Sequence, residues 1–319
     1  MDKIDWKILS KLERNGRIQL SKIAKSVRRS VQNASYRIAR MEREGVIRGF
    51  FGLVDFYKMG VTTWRVMLKF GPFSATDYDR FLSFLDKHPK ILWGSECGGE
   101  WDFLFDYLAD SNEDFYGFLN ELRKNFAPFS RKHSTMIIMG GAHLSRVFLP
   151  EDAERRVELP FGSMRKGENV KLDRLDAEIL KIISKNSRVR VTELTSKVSA
   201  SPSSVMKRLK HLEKTIIVGY SVDLDIFRIG RNPYKLLIKM NNEHTPKRKA
   251  VISMGKKIDE TFAVLELLGP WDAEIEIEVK DKQRAIEIYR MIYSRFGEEI
   301  ENISLLELFS PLRYKFFPK

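Results

Sequence analysis

A single cysteine, Cys97, stands among 319 residues, which excludes an internal disulfide framework and any zinc site built on several thiolates. No run of about 18 apolar residues occurs, and the N-terminus, MDKIDWKI, mixes acid and base without a signal-peptide core. These absences predict a soluble, cytoplasmic protein without a membrane partner. Histidine is also scarce. His88, His133, His143, His211 and His244 are scattered, with no i,i+4 pair and no neighbouring cysteine, so no metal site is expected. The sequence lacks a nucleophile elbow, a P-loop and a dinucleotide glycine pattern, and it predicts neither an enzyme nor a bound cofactor. Acid is the scarcer charge: 43 Asp and Glu face 56 Lys and Arg, for a formal charge of +13 and a pI near 9.6. That balance favours a polyanionic partner. The 43% hydrophobic content is enough for packed cores.

The informative stretch is residues 20–55. Leu20, Ile23, Ala24 and Val27 recur at one-face helical spacing. Arg28 and Arg29 interrupt that pattern, and Ser30 can cap a second helix by accepting a backbone N–H. Val31, Ala34, Ile38 and Met41 then form a buried stripe, with Arg29, Gln32, Tyr36, Arg40 and Arg43 on the opposite face. Two short helices, a tight turn and an outward face of Arg, Gln and Tyr define a helix-turn-helix DNA reader. Gly45, Val46, Ile47 and Gly49 read as the start of a wing. A first amphipathic helix over 3–14 turns Ile4, Ile8, Leu9 and Leu12 inward and completes a domain over 1–60.

Beyond it the pattern is strand 62–70, helix 75–88, strands near 90–97 and 101–108, helix 112–126 and strand 132–139. That βαββαβ order is the ferredoxin-like arrangement, here over 61–149. Residues 150–171 carry Pro, Gly and mixed charge without periodicity and read as a linker.

The chain then repeats itself. An offset of 171 sets Leu175 on Ile4, Asp176 on Asp5, Ile179 on Ile8, Arg188 on Arg17, Ser201 on Ser30 and Arg208 on Arg37. One residue is lost after the second reading helix, and an offset of 170 then sets Gly219, Asp225, Gly269, Trp271 and Asp272 on Gly49, Asp55, Gly99, Trp101 and Asp102. The fold class is therefore α+β, a tandem duplication of a winged helix-turn-helix plus a ferredoxin-like domain. The second copies lie over 172–230 and 231–319.

Ile4-Asp5, Ile8-Leu9, Arg17, Arg37-Ile38, Met41-Glu42, Gly45-Val46-Ile47 and Gly49-Phe50 resemble the N-terminal signature of the Lrp/AsnC (feast/famine) transcriptional regulators. Gly99-Glu100-Trp101-Asp102 resembles that family's turn in its ferredoxin-like effector domain. The resemblance covers nearly the whole chain twice, as two copies fused. It implies sequence-specific binding of double-stranded DNA by paired helix-turn-helix units and transcription regulation. It also implies assembly through the sheets, first as an intrachain pseudo-dimer and then as a homo-oligomer, and in many members control by an amino-acid effector. Two departures stand out: Lys214-Thr215-Ile216-Ile217 has no counterpart of Gly45, and Trp101, Pro270 and Trp271 depart from the usual turn.

The candidate DNA-binding residues are Arg28, Arg29, Gln32, Asn33, Tyr36, Arg37, Arg40 and Arg43 in the first unit. In the second they are Ser203, Ser204, Lys207, Arg208, His211 and Lys214. Arg can hold guanine and Gln or Asn adenine bidentately, whereas hydroxyls and lysines suit phosphate anchoring. Gly99, Asp102, Gly269 and Asp272 are effector-binding candidates; the aspartates could take a ligand ammonium or cap backbone donors in the turn. Certain siroheme decarboxylases resemble the same family, and a tetrapyrrole enzyme is one alternative reading; an architectural DNA-compacting protein is another. For the sheets, alternation puts Leu104, Asp106, Leu108, Glu274, Glu276 and Glu278 on the face away from the helices. The expectation is that the two sheets pack through those faces, with Arg65 and Lys69 near the other half's glutamates. Lys235 and Lys239 are the competing local partners.

Overall fold

The computed structural model describes residues 1–127, 130–149, 156–162, 170–241 and 247–311, except the side chains of 310 and 311. The first repeat opens with α1 (Lys3–Arg14), α2 (Leu20–Ser26) and α3 (Val31–Arg43). Asp2 caps α1 by accepting from the backbone N–H groups of Ile4 and Asp5, and Asp5 reciprocates on the Asp2 N–H. Ser30 caps α3 through the Asn33 N–H. The second repeat uses the same devices in α6 (Arg174–Lys185), α7 (Val191–Val198) and α8 (Pro202–Thr215), with Asp173 and Asp176 as the capping pair. Ser201 caps α8, and Pro202 occupies its first turn, where a missing N–H costs nothing. Ala34, Ile38 and Met41 are buried as the periodicity requires, but Val31 is 43% exposed. It sits in the first turn of α3, ahead of the point where that helix meets α1 and α2.

The stretch expected to open a wing is β1 (Ile47–Val54), and its partner lies in the other repeat. It pairs antiparallel with β7 (Ile217–Leu224), and the two strands form a separate two-stranded ribbon. The register is centred on Phe51 opposite Ser221, with Ile47 opposite Leu224 and Val54 opposite Ile217. Phe51 and Ser221 occupy equivalent repeat positions, so a pseudo-twofold axis runs between them. Contacts on the two sides obey it. The Gly16 N–H donates to the Tyr220 carbonyl at 3.0 Å, and the Ser187 N–H to the Phe50 carbonyl at 2.9 Å. Arg17 donates to the Ser187 carbonyl over the Tyr220 ring, while Arg188 donates to the Gly16 carbonyl over the Phe50 ring. Each helical unit is thereby clamped to the ribbon strand of the other.

The ferredoxin-like units are β2 (Thr62–Phe70), α4 (Ala75–Lys87), β3 (Ile91–Gly98), β4 (Phe103–Ala109), α5 (Asn112–Phe126) and β5 (Ser130–Leu144). Their counterparts are β8 (Asn232–Met240), α9 (Arg248–Gly255), β9 (Thr261–Leu268), β10 (Ala273–Val279), α10 (Lys282–Phe296) and β11 (Ile300–Pro311). Within each sheet the fourth strand lies beside the first. The free edges then find each other: β5 pairs with β9 and β11 with β3, both antiparallel. The eight strands close into a barrel in the order β2-β4-β3-β11-β8-β10-β9-β5, with β5 returning to β2. Reaching β9 takes β5 to Leu144, beyond the expected end at 139. The linker is not structureless either. Its β6 (Glu158–Phe161) extends the barrel by pairing with Gly141–Leu144 of β5.

Helices cover the outside, where Val66, Leu68, Phe81, Phe103, Phe105 and Phe118 make the first outer core. The interior is shared. Met67, Leu104, Met136 and Ile138 meet Leu237, Leu265, Leu267 and Leu306, and Trp101 and Trp271 plug it from the two turns. The inward assignment of Leu104, Asp106, Leu108, Glu274, Glu276 and Glu278 holds; five are buried, and Glu276 is partly exposed.

The ionic pairing differs in part from expectation. Arg65 holds Asp106 bidentately at 2.8 and 2.9 Å and reaches across the barrel to Glu274, so it does meet a glutamate of the other half. Glu276 is served locally by Lys235 at 2.5 Å, and Lys235 also holds Glu274 at 2.6 Å. Lys69 and Lys239 are not in this cluster; they pair with Asp102 and Asp272 of their own turns. Their positions four residues further along than Arg65 and Lys235, next to the ends of β2 and β8, put them at the barrel rim. Removing one partner of a buried pair leaves the other charge uncompensated, at a cost of about 3–5 kcal/mol. In a double-mutant cycle read by urea unfolding, Arg65→Met and Glu274→Leu should couple by more than ~1 kcal/mol, and Arg65→Met and Glu276→Leu by clearly less. The reverse order would contradict the cross-barrel pairing.

Candidate nucleic-acid interface

The reading helices α3 and α8 follow tight turns in which Arg28 (φ 53°) and Ser199 (φ 49°) adopt the left-handed conformation at equivalent positions. On α3 the exposed side chains are Val31, Gln32, Ser35, Tyr36, Ala39, Glu42 and Arg43, preceded by exposed Arg28 and Arg29. Tyr36 is 60% exposed. These residues are available to a groove.

Three of the candidates are held elsewhere. Arg37 donates to Asp2 and Asp5 at 2.8 Å each, and Arg40 donates to Asp5 at 2.5 Å. Asp5 is fully buried, so the two arginines pin α3 onto α1. Asn33 accepts from Arg37 Nε at 3.0 Å and holds that guanidinium in place. Arg37 and Arg40 therefore have a structural role in addition to any contact with DNA. A helical wheel reports which way a side chain leaves its own helix, not which acid waits on the next one. In α8, Arg208 repeats the arrangement against Asp173 and Asp176 at 2.6 and 3.2 Å. His211 stands where Arg40 stands and is exposed, with no second clamp. Ser203, Lys207, Lys210 and Lys214 are exposed, and so is Met206 at 38%. Ser204 is half-buried and donates its N–H to the Ser201 cap.

The missing counterpart of Gly45 has a local consequence. Gly45 takes φ +72° and turns the chain from α3 into β1. Without it α8 runs on to Thr215 and enters β7 through Ile216 in a right-handed conformation.

The effector candidates lie in the β3–β4 and β9–β10 turns. Asp102 accepts from the Phe70 N–H at 2.7 Å and from Lys69 at 2.6 Å; Asp272 accepts from the Met240 N–H at 2.8 Å. Both carboxylates tie the turn to the first strand of their own sheet, the capping alternative. Gly99 (φ +124°) and Gly269 (φ +147°) face the opposite repeat, where a Cβ would meet the Leu305 carbonyl at 3.0 Å or Met136 Cβ at 2.9 Å. These glycines let the two halves close. Cys97 lies beside this turn and is buried, as expected, and burial pushes its thiol up to about 12.

One feature did not show in the sequence. A cavity of about 150 Å³ lies between the ribbon and the barrel, walled by Phe51, Trp93, His143, Phe262, Glu276 and Glu278, among others. Arg146, just past β5, crosses its floor and binds Glu278 through Nε and Nη2 at 2.6 and 2.8 Å and Glu13 of α1 through Nη1 at 2.7 Å. Burial, helped by the neighbouring carboxylates, leaves Glu13 and Glu278 above the usual carboxylate range, and the shared Arg146 guanidinium opposes that rise. Burial also lowers His143 to about 4, opposed by Glu276 and reinforced by Lys235 and Arg146. Of the other histidines, His88 packs against Phe84, Tyr107 and Phe118, and His133 lies beside Arg123. His244 lies outside the described residues. Among the described residues no group of His, Cys, Asp and Glu could hold a metal, and no helix is long and apolar enough to cross a membrane.

Two pinned, basic reading helices mounted on one pseudo-twofold ribbon define a DNA-binding transcription regulator. The winged helix-turn-helix DNA-binding family profile matches residues 1–48 and 172–215. The HTH-type transcriptional regulator LrpB of Bacillus subtilis is 30% identical over 124 residues, 39% of this chain and 82% of that protein. The HTH-type transcriptional regulator Zrp of Zymomonas mobilis is 32% identical over 117 residues, 36% of this chain and 76% of that one. The chain belongs to the Lrp/AsnC family of transcriptional regulators, with two copies in tandem. Over its full length it is similar in fold to a crystal structure of the siroheme decarboxylase NirDL, with a TM-score of 0.65 at 12% identity, covering 99% of this chain and 94% of that one.

Two measurements check these roles. Arg37→Ala should lower stability by roughly 3 kcal/mol, because buried Asp5 keeps only Arg40. Gln32→Ala and Tyr36→Ala should leave the melting temperature within a few degrees and weaken DNA retention instead; equal thermal losses in all three would contradict the division. Separately, the unfolded chain protonates histidine near 6.5, well before folded His143 does. The stability linked to His143 is thus complete above pH 6.5 and is lost as pH falls toward 4, by up to roughly 3 kcal/mol. His143→Phe should flatten that part of the stability-versus-pH curve measured in urea.

Proposed function

We propose that this regulator reads a non-palindromic operator, each chain placing two unlike half-sites on its two readers. The observation that carries this is the difference between equivalent positions across the pseudo-twofold axis. Arg29, Gln32, Tyr36 and Arg43 on one side stand where Ala200, Ser203, Lys207 and Lys214 stand on the other. Operator symmetry mirrors protein symmetry, and here the backbones are related while the reading side chains are not. Gln32, with two donors and an acceptor in one plane, suits adenine, and Arg29 suits guanine. Ser203, Lys207 and Lys214 make hydrogen-bonded and ionic contacts suited to phosphates, which hold register without naming a base. The first half-site is then sharply defined and the second is loose.

Random-sequence duplex selection with the full chain tests this. The expected product has one conserved half and one degenerate half, at a spacing of about one helical turn or a multiple of it. A palindromic product would refute the asymmetry, and no enrichment would favour the DNA-compacting reading. Lys207→Ala should reduce the salt slope of log K by about one unit with the selected sequence unchanged.

We infer further that the chain acts as a regulator without catalysis. The cavity beneath the ribbon, about 150 Å³, is of the size that holds a single benzene ring. A tetrapyrrole carries four linked rings and would enter this cavity only if the ribbon and barrel separated. The likeness to a siroheme decarboxylase is one of fold. Incubation with siroheme under reducing conditions should give no decarboxylated product; its appearance would overturn this inference.

A further inference from the structure

The cavity between ribbon and barrel is unevenly charged. Glu13, Asp223, Glu276 and Glu278 face it against Arg48 and Arg146. Including the groups bonded behind the wall, Lys235 with Glu274 and Arg65 with Asp106, leaves the same excess of two carboxylates. Arg231 comes near Glu278 from outside and is shared with Glu260; Arg284 also holds Glu260, at 2.7 Å, and is shared in turn with Glu287, so these four charges balance. Within the described residues, then, the wall carries two more acids than bases, in a place where an uncompensated charge is costly.

The related position across the pseudo-twofold axis provides an internal control. A smaller cavity of about 70 Å³ is lined there by Arg65, Asp106 and Phe161, and it shares His143 with the larger one. Its single acid and base bind each other, and β6 delivers Phe161 into it. The larger cavity receives Val157 and Leu159 from the same segment, which leave it open. The asymmetry in volume therefore matches the asymmetry in charge.

The remaining walls are chemically specific. The rings of Phe51, Trp93 and Phe262 give the site aromatic faces, which attract cations. The guanidinium of Arg146 already lies 4.2 Å above the Phe262 ring, and the Lys235 ammonium 4.9 Å from Trp93. His143 lines the cavity, and its Nδ1 is sealed from solvent without a hydrogen-bond partner in the structure. Neutral imidazole offers one acceptor nitrogen.

We propose that this cavity is a binding site for a small organic monocation, an ammonium group on an apolar body of about one ring, held by Glu276, Glu278 and His143. An anion would add to the existing excess, and a neutral molecule would leave it in place. The site lies between the ribbon that carries both readers and the barrel that anchors them. Occupancy therefore acts on the spacing of α3 and α8, which makes the amine an effector; that consequence alone rests on the reading of operator DNA.

A matched series on the full chain tests the site without DNA. Benzylamine, benzyl alcohol and benzoate share a ring and differ in charge. By calorimetry or thermal shift, benzylamine should bind at least tenfold more tightly than benzyl alcohol, and benzoate should not bind. Val157→Phe, which fills the cavity from the linker segment, should abolish binding, and Glu276→Gln should weaken it about tenfold. Equal binding of the amine and the alcohol, binding of benzoate, no binding of benzylamine, or undiminished binding to Val157→Phe would each overturn the proposal. Operator selection is run without the amine, so either reading can fail while the other stands.

Discussion

A four-stranded ferredoxin-like sheet has two open edges, and an open edge exposes a row of unpaired backbone donors and acceptors. Most of this molecule follows from how those edges are closed. The first sheet ends at β5 and β3 and the second at β9 and β11, and each edge takes its partner from the other repeat. A closed barrel results, with every strand of the ring paired on both sides. The helical units reach the same solution in miniature, because neither β1 nor β7 folds into a hairpin of its own and each completes the other.

Pairing through edges settles which surfaces meet, and the buried charges settle which copies meet. Arg65 crosses the barrel to Glu274. The repeat position equivalent to Glu274 in the first half is Leu104. If two first repeats from separate chains joined in the same way, Arg65 would face a leucine and lose one of its acids. Repulsion or an unpaired charge in the wrong complex is how specificity of this kind arises. The buried pair thus favours joining a first repeat to a second repeat over joining two first repeats.

Much of this was legible in the sequence, for physical reasons that are easy to name. Helix α3 announces itself through Ser30 and the Ala34-Ile38-Met41 stripe, and β2 and β10 through alternation; all are local patterns. The duplication was legible because Asp5 and Asp176, or Arg37 and Arg208, do the same mechanical task twice. What was not legible is non-local. The partner of β1 lies about 170 residues away in the register, and no pattern within 47–54 distinguishes a ribbon strand from a wing strand. Arg37 and Arg40 point outward from α3 and still meet the capping acids of α1. The short β6 has no periodicity of its own and exists because β5 offers it an edge. The cavity beside His143 is assembled from strands of both repeats and from the linker, so no single stretch of chain carries its signature.

The covalent join between the repeats also changes how the regulator responds to its own abundance. A reader assembled from two separate chains falls apart on dilution, and its grip on DNA then depends on subunit concentration as well as on DNA affinity. Here the second reader is attached through a linker that is itself stitched into the barrel by β6. The local concentration of one half around the other is set by that tether rather than by expression level. A cell that holds only a few copies therefore has the same fraction of them competent to bind as a cell that holds many.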